Sequence, residues 1–574
     1  MLSCRLLLLV QAVISVYICH AARVVIDWDI GYIQVNRDGY NNRRAIGVNG
    51  ALPIPPVYVD HGDTLIINVH NSLTVPTSIH AHGIFHNGTN YYDGAGMVTQ
   101  CGIPPGESYS YTIEARQVGT YWIHGHTRHQ NSDGLRAPFI IREKLRQPVV
   151  DYDDEYLLYL EDWYPTESSE KMKEITEPGD GTVPPPTYPF GLINGYNGNN
   201  TKPIRFSPGK RYRIRMVSMA TTEWFKVQFP GHQVEVIEAD GINCVPQQVD
   251  GFDMGPGQRY SAIVTALDTV TYNMPFNVTL YADFVPRING LNPRYYQGLI
   301  EYREGAPAKR LPVTDDNQLK WANDIEMQPY DRQPALPVDR QIELTSVGII
   351  TVDKRSLRKL NKYPYTEPAV PSLFTAMTTG ELAMDRNIYG PQAEALILRH
   401  EEVVEIKLNN PSGLVHSFHL HGHAFQVVEY GPVDRDIIEI PAGLNASIAD
   451  VPVAPVRQFH NAPMRRDTLV TPVFEYVKIR FRADNPGVWM FHCHMDTHFA
   501  AGLAVTFIEA PDVLQQTQIL PEDLQQMCLR QGIKASGNAA GNPGYDFTGL
   551  PPVPQELKVD DNSTFGNTAA SSTN

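Results

Sequence analysis

Cysteine is scarce: the 574-residue chain has 6, and Cys4 and Cys19 fall in an apolar N-terminal run. The remaining Cys101, Cys244, Cys493 and Cys528 are too few to staple a chain of this size, so a disulfide-dependent fold is excluded. Charge is sparse at 19%, and basic charge sparser, with 47 Lys and Arg against 63 Asp and Glu for a net −16. So acidic a chain is a poor match for a phosphate backbone, and nucleic acid is excluded as a partner. Past the N-terminus no stretch reaches the roughly 20 apolar residues that span a bilayer, so no membrane span is expected. Disorder is excluded too, because 42% hydrophobic residues can fill several cores.

The N-terminus reads as a signal peptide over residues 1–21: Arg5, the run Leu6 to Val10 extended to Ile18, then small residues with cleavage after Ala21. A membrane anchor is the alternative, but Gln11 and Ser15 break the run. Sequons at Asn87, Asn199, Asn277, Asn445 and Asn562 fit a glycosylated protein secreted to the extracellular space or cell wall.

Proline (45) and glycine (43) are plentiful, and turn pairs such as Asp38-Gly39, Asn49-Gly50, His61-Gly62 and Asn87-Gly88 recur between alternating stretches. This punctuation predicts all-β sandwiches rather than βαβ units. Pro-Gly turns lead into strands at Pro105, Pro208 and Pro256, and Gly-aromatic endings recur at Gly119 and Gly487, an echo of repeated sandwiches. The expected divisions are domains at 22–145, 146–306 and 338–515, a linker at 307–337, and a tail at 516–574 with a short helix near Pro521 to Arg530.

Histidine carries the chemistry. His80-Ala81-His82, His124-Gly125-His126, His419-Leu420-His421 and His492-Cys493-His494 repeat one His-x-His unit, with His416 and His498 flanking the last two. A lone buried histidine is usually a satisfied core residue, but repetition defeats that reading. On a strand, residues i and i+2 share a face, so each unit offers two imidazoles side by side. Four pairs exceed one mononuclear site and imply a metal cluster. Cys493 selects the metal: a thiolate with two imidazoles is a blue-copper donor set, whereas zinc would leave the other pairs unexplained.

These four segments, in this order, resemble the copper-binding signatures of multicopper oxidases, the family of laccases and fungal iron oxidases. The resemblance implies three cupredoxin-like Greek-key β-sandwich domains and four copper ions. It places type 1 copper on His416, Cys493 and His498, and type 2 copper on His80 and His419. The type 3 pair falls on His82, His124, His126, His421, His492 and His494. His20, His129 and His423 match no ligand position. Electrons from a reducing substrate would enter at type 1 copper, and O2 would be reduced to water at the trinuclear cluster. The axial position falls on Leu503, which cannot coordinate and implies a laccase-like rather than a low potential. Asp93 and Asp496 match proton-relay carboxylates, or else groups that orient the histidines. The family's disulfide pairs Cys101 with Cys528 and leaves Cys244 a buried thiol.

For the reducing substrate the residues divide. The segment Gly537 to Asn542 and Phe547 to Pro551 looks like the C-terminal region of fungal iron oxidases. Where those carry acids, this chain has Arg205, Ser207 and Ser412, with Asp283 a match for a third. The expectation is therefore a secreted, monomeric, laccase-like oxidase of phenols or other aromatics, with Glu223 as a phenol base. The alternatives are a soluble ferroxidase acting on Fe(II), and a copper-binding protein without turnover. Ala81, Gly125 and Ser417 depart from the residues usual at their positions and are expected to loosen the copper surroundings.

Overall fold

The computed structural model describes residues 21–127, 129–143, 150–177, 189–197, 201–281, 293–309, 311, 318–439, 447–459 and 461–556. The expected signal peptide (save Ala21), Asp283, His20 and the last 18 residues of the tail lie outside them.

Alternation writes the strands. Ser108–Glu114 turns Tyr109, Tyr111 and Ile113 inward and its serines and glutamate outward, the period-2 pattern of a half-buried strand. Sheets built this way pack in pairs. The first pair sets a four-stranded sheet centred on Arg23–Val35 and Thr64–Asn71 over another containing Ile79–His82 and Gly119–Gly125. The second faces a seven-stranded sheet with a five-stranded one. The third stacks a six-stranded sheet on five strands that include His416–Leu420 and Gly487–Cys493. The fold is all-β, three cupredoxin-like sandwiches. One parallel pairing recurs in each: Arg23–Val35 with Thr64–Asn71, Asp154–Trp163 with Arg211–Ser218, and Arg340–Thr345 with Val403–Asn410.

The first and third sandwiches share one apolar core. Ile79, Ile123 and Leu135 of the first pack in the same cluster as Val488, Met490 and Ile508 of the third. Asn90 clamps the seam, donating to the Val488 carbonyl at 3.1 Å and accepting from its N–H at 3.0 Å. The region around 318–337 is laced down rather than spanning freely: Ala322 and Met327 join the second core, while Gln426 and Arg465 of the third sandwich bond Pro334, Leu336 and Asp331. The C-terminal region is folded back. Helix Glu522–Arg530 carries Cys528, bonded to Cys101, and beyond it Ala539 and Asn538 are buried.

The seam between first and second sandwiches is ionic. Arg37 and Arg136 both grip Glu161, Arg37 at 2.6 and 3.0 Å and Arg136 at 3.0 Å. All three are buried. Burial alone would raise the Glu161 carboxyl, but the two guanidinium groups hold it below the ordinary carboxylate range. Glu161→Ala is expected to cost about 3–5 kcal/mol, since it strands two buried cations. A thermal unfolding midpoint unchanged from wild type would refute this.

Candidate metal centre

Two antiparallel strand pairs, one from each end of the chain, present the imidazoles. In the first sandwich Ile79–His82 pairs with Gly119–Gly125 and sets His80 opposite His124. In the third, His416–Leu420 pairs with Gly487–Cys493 and sets His419 opposite His492 and Phe418 opposite Cys493. The two sets interleave across the shared core. The His82 and His419 rings stack at 3.7 Å between centroids, and those of His80 and His421 at 4.0 Å. Eight histidines thus line one buried space: His80, His82, His124, His126, His419, His421, His492 and His494.

The space is built for ions. Burial first, and neighbouring imidazoles after it, hold His82, His124, His126, His419 and His492 well below 6.5. The same causes take His421 down to about 4, while burial takes His494 to about 3. Rings so lowered carry no proton charge at neutral pH, which suits metal ligands. Backbone and side-chain acceptors fix which nitrogen faces inward. His80 Nδ1 donates to the Asp93 carbonyl at 2.7 Å and His419 Nδ1 to the Asp467 carbonyl at 2.9 Å. Both leave Nε2 facing the space. Those two Nε2 atoms, with His124 Nε2 and both His126 nitrogens, have no hydrogen-bond partner among the described residues. Each buried orphan costs about 1–3 kcal/mol unless something is bound. His82 Nδ1 lies 3.2 Å from His494 Nε2, and His421 Nε2 3.2 Å from His492 Nε2. Two ligands at about 2.0–2.1 Å from one ion stand that far apart, so the donors fit bound metal.

A second site adjoins it. Cys493 Sγ lies 3.7 Å from His416 Nδ1 and 3.6 Å from His498 Nδ1, with the two nitrogens 3.0 Å apart. His498 comes from the short helix Asp496–Ala500. Leu503 is wholly buried, and its carbonyl accepts the Cys493 N–H at 3.0 Å. Burial pushes the Cys493 thiol up to about 12, so its thiolate needs a bound cation. His492 and His494 face the cluster while Cys493 between them faces the second site, so one strand end joins the two.

The carboxylates differ. Asp93 is wholly buried, and its Oδ2 accepts from His421 Nδ1 at 2.9 Å. Burial would raise it, but His421 and His80 outweigh burial and hold it well below 3.8. Asp496 accepts from Ser132 at 2.6 Å and Asn131 at 3.3 Å, and burial lifts it to about 6. Glu223 is 4% exposed and accepts from Tyr164 at 3.3 Å, which leaves a bulky phenol no approach to it.

Two of the departures, Gly125 and Ser417, have definite contacts. A Cβ on Gly125 would meet Gln130 and Leu135 at 2.9 Å, so glycine is required there. Ser417 donates to the Pro256 carbonyl at 2.7 Å and ties the third sandwich to the second. Gly94, φ +80°, packs on the Ile79 carbonyl beside His80, with room for no side chain. His423 pairs with Glu509 at 2.7 Å, away from the cluster.

Outside the cysteine site, Ser346 and Ser412 hydroxyls lie 3.2 and 3.5 Å from His416 Nε2. Glu439 donates its N–H to the Pro411 carbonyl, next to Ser412. Burial pushes the Glu439 carboxyl up to about 7 from its ordinary 4.5, against the opposing pull of Arg358. A raised carboxyl favours folding while protonated. Its contribution is full below about 4.5 and is lost as pH rises through about 7. Glu439→Gln is expected to flatten the fall in urea midpoint between those pH values. An unchanged slope would reassign it.

Multicopper oxidase family models match residues 29–146, 154–289 and 365–513. The chain is 36% identical to the iron multicopper oxidase fer1 of Mycosarcoma maydis, over 94% of this chain and 89% of that one. It is 34% identical to the iron transport multicopper oxidase FET3 of Gibberella zeae, over 93% and 83%. Among solved structures, Fet3p, described as a multicopper oxidase that functions in iron import, superposes with TM-score 0.83 at 30% identity, covering 94% of this chain and all of that one. The laccase of Botrytis aclada superposes at 0.70, with 24% identity over 89% and 93%, a likeness of fold alone. The expectation of a laccase-like phenol oxidase is thereby corrected, and the phenol-base role of Glu223 goes with it. The absent acids misled because they are single positions, outweighed by likeness along the whole chain.

Proposed function

The chain belongs to the multicopper oxidase family, copper oxidoreductases with O2 as acceptor, and from that premise we propose that it is a ferroxidase. The reaction is 4 Fe(II) + O2 + 4 H⁺ → 4 Fe(III) + 2 H2O. The observation that carries the reading is identity of 32–36% to iron multicopper oxidases over about nine-tenths of the chain.

Its cofactors are four coppers, one type 1, one type 2 and two type 3, which when bound take single electrons from substrate and pass four to O2. In this reading His416, Cys493 and His498 hold type 1 copper, and His80 with His419 hold type 2. His82, His124, His126, His421, His492 and His494 hold the type 3 pair. Asp93 accepts and passes protons beside His80 and His421, and Asp496, carrying its proton to about pH 6, supplies them from the Ser132 side. Near the cysteine site lies half-buried Glu439, whose N–H bonds the Pro411 carbonyl and whose carboxyl lies by the Gly348 N–H and Arg358. No helix among the described residues is long and apolar enough to cross a membrane; the apolar leader and the sequons support export from the cell.

Oxygen uptake by the copper-loaded enzyme, with Fe(II) or a diphenol as sole reductant, tests the proposal. We expect kcat/KM for Fe(II) to exceed that for the diphenol by at least about tenfold, a difference of 1.4 kcal/mol in transition-state stabilisation. Equal efficiencies, or the reverse order, would overturn it.

A further inference from the structure

The second sandwich offers no histidine to either metal site, yet its Arg259 reaches the cluster. Arg259 is wholly buried and grips Asp467 of the third sandwich with two parallel bonds, Nη1 to Oδ1 at 2.6 Å and Nη2 to Oδ2 at 2.5 Å. Asp467 in turn holds two cluster histidines from opposite ends of the chain. Its Oδ1 lies 3.2 Å from His82 Nε2, and its carbonyl accepts from His419 Nδ1 at 2.9 Å. Thr468 completes the grip, donating to Asp467 Oδ1 at 2.8 Å and standing 2.9 Å from His82 Nε2. His82 is therefore turned with Nδ1 to the cluster, and His419 with Nε2. These are the rings that stack at 3.7 Å.

The guanidinium is itself braced. Its Nε donates to the Thr120 carbonyl at 3.1 Å, in the strand that carries His124, and the Arg259 N–H donates to Asp240 at 2.8 Å. Asp240 also holds Arg466, the neighbour of Asp467, at 2.9 Å. Every member is buried, and Arg259 contacts all three sandwiches.

We propose that Arg259 is a positioning residue for the trinuclear cluster: by fixing the Asp467 carboxylate in a two-pronged grip, it sets the tautomer and ring orientation of His82 and His419. A planar guanidinium matches a carboxylate in a way a lysine ammonium cannot. Outer partners of ligating histidines are typically worth 10–100-fold in metal affinity or activity. The proposal rests on the copper content of the family and not on Fe(II) as substrate, so failure of either leaves the other standing.

Copper-loaded Arg259→Gln and Arg259→Lys decide it, through copper per chain, the type 2 electron paramagnetic resonance signal, and the reoxidation rate of the reduced enzyme by O2. Blue absorption and thermal midpoint report on the type 1 site and the fold. Arg259→Gln is expected to keep the blue absorption, alter the type 2 signal or lose cluster copper, and reoxidise about 10–100-fold more slowly. Native type 2 signal, copper content and reoxidation in Arg259→Gln would overturn the proposal. If Arg259→Gln does not fold, Arg259→Lys decides: the charge stays and the fork is lost, so an altered type 2 signal supports the role and a native one overturns it.

Discussion

Cys493→Ser is expected to abolish the blue absorption and bring Fe(II)-driven O2 uptake to background, the largest effect of any single change in this chain. Serine keeps the size of the side chain but not the soft donor that selects copper. Cys493 is buried, its sulfur lies 3.6 and 3.7 Å from the two ring nitrogens, and its covalent neighbours His492 and His494 face the histidine cluster. On the proposed assignment the variant would lose the type 1 copper together with the covalent link to the cluster. His80 and His419, assigned to type 2 copper, lie on other strands and are untouched, so the type 2 signal is expected to persist. Retained blue colour would overturn the assignment of His416, Cys493 and His498. Loss of the type 2 signal alongside the blue colour would show that the two sites do not form independently.

Asp93→Asn should act at the other end of the reaction. The carboxylate is held ionised by His421 and His80 against its own burial, and its Oδ1, 3.2 Å from His80 Nδ1, has no hydrogen-bond partner among the described residues. Asparagine keeps the shape and removes the basic oxygen. Reduction of the blue centre by Fe(II) is expected to be unchanged, and reoxidation by O2 to slow by about 100-fold or more, the scale of a lost general acid–base group. The two half-reactions separate in stopped-flow absorbance. Wild-type reoxidation would reduce Asp93 to an orienting acceptor for His421.

Much of this was legible in the residues. The alternating strands, the Pro-Gly turns and the His-x-His units are local patterns, and local patterns fix which side chains share a face. Eight of 19 histidines could be read as donors because i and i+2 spacing on a strand leaves little choice, and His416 and His498 joined them through the cysteine between the last pair. The Cys101–Cys528 bond was legible only through resemblance, since its partners lie 427 residues apart. Arg259 and Asp467 gave no signal at all. In sequence they are ordinary charged residues, one after a Pro-Gly turn and one in an Arg-Arg-Asp-Thr run, and nothing periodic marks a charge as buried.

The substrate failed for a related reason. Arg205, Ser207 and Ser412 stand where acids favour iron, but three single positions weigh less than likeness to iron multicopper oxidases along about nine-tenths of the chain. The chain by itself determined the donor types, their pairing on strands, the choice of copper and the all-β class, because each depends on residue identity and short-range geometry. Only the tertiary structure decided which sandwich meets which, that the first and third share one core, and that a guanidinium from the second steadies rings it does not touch. Those depend on packing between segments hundreds of residues apart, where burial makes a charge stay with its partner.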